Sequence, residues 1–291
     1  MIEINNLTKR FGQVRAVDDL SININPGITG LVGENGAGKS TLLRLIADVY
    51  QPDSGTNEID DQLNTSVPAK KDLFFLCDNP YAPNNNTVAQ TFQLYSTLFD
   101  LDKERFEKMM KKLSLPLDRK VSTYSKGMRR QFFLAIAISS KSKYVLLDEA
   151  FDGLDPLVLD EIRQEIIKDA DQKTYVVSSH NISSLERLCD SFILLSKGRC
   201  SKSSDMEHIG ENFVKYQIFV KGEMSCEDLE KLSFRVLSFK KVGSIYNVVF
   251  HDAIDEKKLR DSYEVMLLEK IPIDPDELIA LEMLNARKER N

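Results

Sequence analysis

Residues 33–41 read Gly33-Glu34-Asn35-Gly36-Ala37-Gly38-Lys39-Ser40-Thr41 and fit the pattern G-x-x-x-x-G-K-[ST]. No other stretch limits the possible folds as strongly. The glycines let backbone N–H groups converge on phosphate oxygens without interference from Cβ atoms. Such a loop has to follow a strand and open a helix, whose N-terminus adds a positive dipole end. Lys39 then reaches the β- and γ-phosphates, and the Ser40 hydroxyl binds Mg²⁺. The flanks agree with this requirement. Ile28 to Val32 is a short apolar run ending at Gly33, and Leu42, Leu45, Ile46 and Val49 recur at helical spacing. A chance turn with this pattern is expected in on the order of one chain in a hundred of this length. The whole stretch from Gly33 to Thr41 is therefore the candidate nucleotide-binding loop.

Composition narrows the setting. The chain has 291 residues and a formal net charge of −6. Such a balance argues against a nucleic-acid partner held by general phosphate neutralisation. No stretch approaches the ~18–20 consecutive apolar residues of a membrane span. Met1-Ile2-Glu3-Ile4-Asn5 has neither a basic start nor an apolar h-region, so no signal peptide is expected. Cys77, Cys189, Cys200 and Cys226 are scattered without a Cys-x-x-Cys pair, and they read as reduced thiols. The expectation is a soluble cytoplasmic protein. Any work at a membrane would need a separate partner.

Strand and helix patterns alternate after the phosphate loop. Tyr144 to Leu147 reads as a buried strand, Leu157 to Asp169 as a helix, and Thr174 to Ser178 and Phe192 to Leu195 as further strands. This order predicts an α/β fold with a largely parallel sheet. Residues 83–141 form a mostly helical block inserted between its strands. The pattern changes near residue 213, giving one domain over 1–212, which holds the phosphate loop, and an accessory α+β domain over 213–291. The second domain reads β-α-β-β-α-β plus a helix from Asp276 to Arg290, which suggests a ferredoxin-like arrangement. It carries 13 Lys/Arg against 15 Asp/Glu, so charge gives it no preferred partner.

Asp148-Glu149 closes the apolar strand Tyr144-Val145-Leu146-Leu147. In a doubly wound sheet, ligands sit at the carboxyl ends of the strands. Asp148 is thus a candidate Mg²⁺ ligand, and Glu149 a candidate to polarise an attacking water.

With these motifs in order, residues 1–212 resemble the ATP-binding subunit of ABC transporters, a P-loop NTPase with an inserted helical subdomain. The resemblance implies further roles. Lys9-Arg10-Phe11-Gly12 is similar to the loop whose aromatic ring stacks on adenine, with Phe11 in that place. Tyr124-Ser125-Lys126-Gly127-Met128 resembles the signature Leu-Ser-Gly-Gly-Gln; it keeps Ser125 and Gly127, with Lys126 in place of the first glycine and Met128 in place of the glutamine. In the family this segment faces the γ-phosphate held by a second copy. Asp152-Gly153-Leu154-Asp155-Pro156 resembles the loop that crosses that interface, and His180 the histidine that senses the γ-phosphate. One position departs from the family. Asp78 stands where a glutamine is expected, in Cys77-Asp78-Asn79-Pro80, and is taken as a candidate metal ligand with Ser40 and Asp148.

The resemblance implies ATP and Mg²⁺ as cofactors, an ATP-dependent homodimer, and a separately encoded membrane permease subunit that holds this chain at the inner face of the membrane. Export is suggested by the signature variant and the appended domain. The alternative is a non-transport ABC ATPase of DNA repair or translation. Repair members need long coiled-coil insertions, whereas only about sixty residues separate the Asp78 loop from the Asp148 strand; translation members carry two cassettes in one chain. A small-molecule kinase would leave the signature and His180 unexplained.

Overall fold

A computed structural model of the chain describes residues 1–181, 185–186, 188–205 and 212–288. The chain divides into two compact units, Met1–Ser204 and Asp205–Asn291.

In the first unit, β1 (Ile2–Phe11) and β2 (Val14–Ile24) pair antiparallel across the Gly12-Gln13 turn. β3 (Gly27–Val32) leads into the phosphate loop and α1 (Lys39–Ile46). There follow β4 (Ser54–Ile59), β5 (Gln62–Leu63), α2 (Val67–Lys71) and β6 (Leu73–Leu76). The expected helical block consists of α3 (Val88–Ser96), α4 (Lys103–Lys112) and α5 (Lys126–Ser139). Then come β7 (Tyr144–Leu147), α6 (Pro156–Ile167), β8 (Thr174–Ser179), β9 (Ser191–Ser196) and β10 (Arg199–Asp205).

Two sheets share this unit. One is antiparallel, in the order β2-β1-β4-β5. The other has six strands in the order β10-β9-β3-β8-β7-β6, and β9, β3, β8, β7 and β6 run parallel. The parallel strands are buried along their length. All four residues of β7 and all six of β8 are buried, as expected for strands covered on both faces. The antiparallel sheet reads differently. Ile2 and Ile4 of β1 and Leu20, Ile22 and Ile24 of β2 point into the same core as Leu42, Leu43 and Ile46 of α1, while the residues between them are more exposed.

Local sequence accounts for the helical block. Thr87 and Gln90 form a reciprocal capping box at α3, and Asp102 accepts the Arg105 N–H to start α4. Eight consecutive residues of α5, Phe132 to Ser139, are buried, so the second half of this helix runs through the core without a polar face. Phe92 stacks on Phe106 at 4.0 Å and Phe106 meets Phe132 edge-on at 6.1 Å, tying the three helices together.

The second unit contains β11 (Val214–Val220), α7 (Cys226–Lys231), β12 (Val236–Val242), β13 (Ile245–Phe250), α8 (Glu256–Ser262), β14 (Val265–Ile271) and α9 (Pro275–Lys288). Its sheet is antiparallel in the order β12-β13-β11-β14. Tyr216, Ile218 and Val220 pack on one face with Leu229 of α7 and Leu259 of α8. Val249 faces the other way, onto Leu281 of α9. Residues 289–290 of the expected final helix lie outside the described residues.

Candidate functional site

Four neighbouring parallel strands, β3, β8, β7 and β6, end side by side. Register makes this explicit: Val32 pairs with Ser179, Leu147 with Val177, and Leu76 with Leu147. The phosphate loop, Ser178 to His180, Asp148-Glu149 and Asp78 therefore leave the same edge of one sheet, where a doubly wound fold places its ligands.

The phosphate loop is shaped by steric necessity at two glycines. Gly38 has φ +107, and a Cβ there would lie 2.2 Å from the Ala16 carbonyl oxygen. A Cβ on Gly33 would lie 2.5 Å from the Leu195 carbonyl oxygen. Both neighbours are backbone and cannot rotate away. Gly36 is different: its φ is +81, but nothing lies within 4 Å of the added atom. Gly38→Ala is thus expected to destabilise the fold by about 3 kcal/mol or more, from clash plus strain, and Gly36→Ala by about 1–2 kcal/mol from strain alone. Urea unfolding of the two variants measures the difference. α1 begins at Lys39 with no side-chain cap, so its first N–H groups face the loop.

Lys39 is buried, at 4% exposure. Its Nζ donates to the carbonyls of Gly33 at 2.7 Å and Glu34 at 3.2 Å, and stands 3.9 Å from Glu149 Oε1. Burial holds this ammonium below the usual lysine range, opposed by Glu149 and then Asp148.

Asp148 is fully buried. Its Oδ1 accepts the Ser40 hydroxyl at 2.9 Å and the Ser178 hydroxyl at 2.8 Å. Its Oδ2 has no hydrogen-bond partner among the described residues. Burial pushes this carboxyl up, against the pull of the two hydroxyls. A buried carboxylate with one open oxygen, next to the hydroxyl of Ser40, is a donor set of the kind a hard divalent cation takes.

Glu149 follows in the left-handed region, at φ 48. Ser178 Oγ accepts its N–H at 2.9 Å, which anchors the turn. Such a conformation in a non-glycine residue costs on the order of 1–3 kcal/mol and is commonest where function holds it. His180 Nδ1 lies 3.2 Å from Asp152 Oδ2, and Glu149, Asp152 and His180 bring ligand atoms within 4.8 Å of one another.

The other sequence candidates fall around this centre. Phe11 ends β1, is 46% exposed, meets Tyr50 edge-on at 5.4 Å and has Lys9 Nζ over its ring, 5.7 Å from the centroid. Ser125 caps α5 by accepting the Met128 N–H at 3.2 Å, and Asp155 caps α6 by accepting the Leu157 N–H at 2.9 Å. The structure puts both on helix caps, not against Lys39 or Ser40. A cavity of about 260 Å³ is lined by Asp78, Asn79, Asp148, Lys126, Arg129 and Arg130. Asp78 does not stand alone in it, because its Oδ1 accepts Arg44 Nη2 at 2.9 Å.

Sequence reasoning missed four participants. Arg44 lies one helical turn after Ser40, so the i,i+4 spacing was the available signal. Ser178 had none beyond its place beside His180. Arg129 and Arg130 of α5 donate to the carbonyls of Pro80 and Asp152 respectively, fastening the signature helix to the loops that follow β6 and β7.

Comparison with known proteins agrees with this geometry. The family pattern for "ABC transporter" matches residues 17–152. The chain is 31% identical over 228 residues to the ABC transporter ATP-binding protein NatA of Bacillus subtilis, covering 73% of this chain and 92% of that one. It is 25% identical over 264 residues to the ABC transporter ATP-binding protein YtrB of the same organism, with 89% of each chain covered. Among solved structures, a dimeric bacterial ABC transporter cassette shares the fold at TM-score 0.63 and 22% identity, covering 70% of this chain and 98% of that one.

Proposed function

This chain belongs to the ATP-binding proteins of ABC transporters, and we propose that it drives export through a separate membrane permease by ATP-dependent closure of two copies. It binds and hydrolyses ATP, as a transport ATPase of that family. Its substrate would be selected by the permease. No helix among the described residues is long and apolar enough to cross a membrane; the permease of this reading would supply the translocation path. Binding to that subunit would place this chain peripherally on the inner face of the membrane.

One observation carries the reading: Ser40, Asp148 and Ser178 form a hydrogen-bonded set beside the phosphate loop, with Glu149 3.9 Å from Lys39. Ser40 and the open oxygen of Asp148 would hold Mg²⁺, which when bound neutralises phosphate charge and orients the terminal phosphoryl group. Lys39 and the loop N–H groups bind the phosphate oxygens. Phe11 offers its exposed ring to adenine. Glu149 orients the attacking water and takes its proton as the oxygen bonds to phosphorus and the β–γ bridging bond breaks. His180 hydrogen-bonds the γ-phosphate.

In the closed dimer, Ser125, Lys126, Gly127 and Met128 of one copy would meet the nucleotide of the other, with Asp155 and its loop at the junction. ATP then favours closure through contacts ADP lacks, and hydrolysis favours opening. A cassette of about residues 1–212 would do this work, with residues 213–291 as an accessory domain. Phosphate release by the purified protein, with ATP and Mg²⁺ against ATP and EDTA, tests the catalytic half. Steady release in Mg²⁺ and none in EDTA is expected, and equal rates would reject the metal assignment. Co-purification of a polytopic membrane protein with the tagged chain from solubilised membranes tests the partner.

A further inference from the structure

Asp78 and Asp148 are linked by one guanidinium. Arg44 Nη2 donates to Asp78 Oδ1 at 2.9 Å and stands 3.8 Å from Asp148 Oδ2. That second oxygen is the buried one with no hydrogen-bond partner among the described residues. Arg44 therefore has two carboxylates within reach and a full hydrogen bond to only one of them.

The balance between the two is uneven. The Asp78 side chain is 51% exposed, so its pairing with Arg44 is screened by water. The Asp148 side chain is fully buried, where an ion pair with the same guanidinium would be much less screened. A shift of about 1 Å would turn the 3.8 Å approach into a charge-assisted hydrogen bond on the open oxygen. The arginine that Asp78 now engages would then cap the position where a cation is to bind.

We propose that Asp78 is a positioning residue: it holds Arg44 away from Asp148 and so keeps Asp148 Oδ2 open for Mg²⁺. This rests on the reading that Ser40 and Asp148 hold the metal at the nucleotide site. It differs from the sequence expectation that Asp78 itself ligates the metal. Asp78 acts through Arg44, and the carboxylate is useful at this position because the arginine is there. A neutral side chain in its place releases the guanidinium to compete with the cation.

The two roles separate in a double-mutant cycle. The measurement is the Mg²⁺ concentration that half-saturates the metal-dependent gain in affinity for a fluorescent N-methylanthraniloyl ATP. Binding of the same probe in EDTA and the thermal midpoint of each variant report that the fold is kept. Asp78→Asn is expected to raise the half-saturating Mg²⁺ about three- to tenfold, the loss of part of one charge-assisted hydrogen bond's discrimination. Arg44→Met, which keeps the aliphatic stem, is expected to leave it at or below the wild-type value. The double variant Asp78→Asn/Arg44→Met is expected to return to within about twofold of Arg44→Met alone. If Asp78→Asn left the Mg²⁺ requirement unchanged, or the loss persisted in full without Arg44, the proposal would be overturned. Wild-type protein whose affinity ignored Mg²⁺ would instead remove the metal reading beneath it.

Discussion

Glu149→Gln is expected to lower ATP turnover about 10²–10⁴-fold while leaving ATP affinity within a few-fold of wild type. The range is what a positioned general base contributes. The substitution keeps the shape of the side chain and the Ser178 bond to the Glu149 N–H, so the left-handed turn after β7 stays anchored. It removes the charge that faces Lys39 at 3.9 Å and, with it, the carboxylate lone pair that would accept the proton of water. Single-turnover phosphate release against equilibrium ATP binding measures the split. A loss confined to affinity would place Glu149 in binding, and near-normal turnover would move the base elsewhere.

Lys39→Met should act on the other side of that split. On the proposed reading its ammonium would supply charged donors to phosphate, each worth about 1.5–3 kcal/mol, so ATP affinity should fall on the order of a hundredfold. The fold should not suffer in proportion. Burial already holds the Lys39 amine below the usual lysine range, which means that the folded protein carries this charge at a cost. Methionine fills similar space without the charge and gives up the two hydrogen bonds to the Gly33 and Glu34 carbonyls and the ion pair with Glu149 at 3.9 Å. Isothermal titration with ATP and chemical unfolding of the free protein check the two halves. A variant that lost affinity only in step with unfolding would make Lys39 a core residue first.

The parallel sheet was readable because its strands are buried on both faces and appear as uninterrupted apolar runs, such as Tyr144 to Leu147. The antiparallel strand β4 (Ser54–Ile59) was not, because Ser54, Gly55 and Thr56 are exposed and weaken any alternation. β10 was hidden for a related reason: Arg199 to Asp205 is almost entirely polar, and position at the sheet edge makes it a strand. At the site, the grouping of Lys39, Ser40, Asp148 and Glu149 was legible: the G-x-x-x-x-G-K-[ST] spacing singles out the first two, and the end of an apolar strand singles out the other two. Arg44 was not, since an arginine on an amphipathic helix ordinarily marks a solvated face; its meaning comes from the carboxylates that β6 and β7 deliver beside it. Ser125 and Asp155 show the limit from the other direction. Within one chain each is a helix cap, and any further role needs the surface of a second copy.

That second copy is where the account is most directly tested. Sedimentation velocity of the Glu149→Gln protein in Mg²⁺ with ATP, and again with ADP, reads the closure that hydrolysis would otherwise undo. A species of twice the 33.1 kDa chain mass is expected in ATP, and the single chain in ADP. Single chains in both nucleotides, with ATP shown to be bound, would contradict ATP-dependent closure.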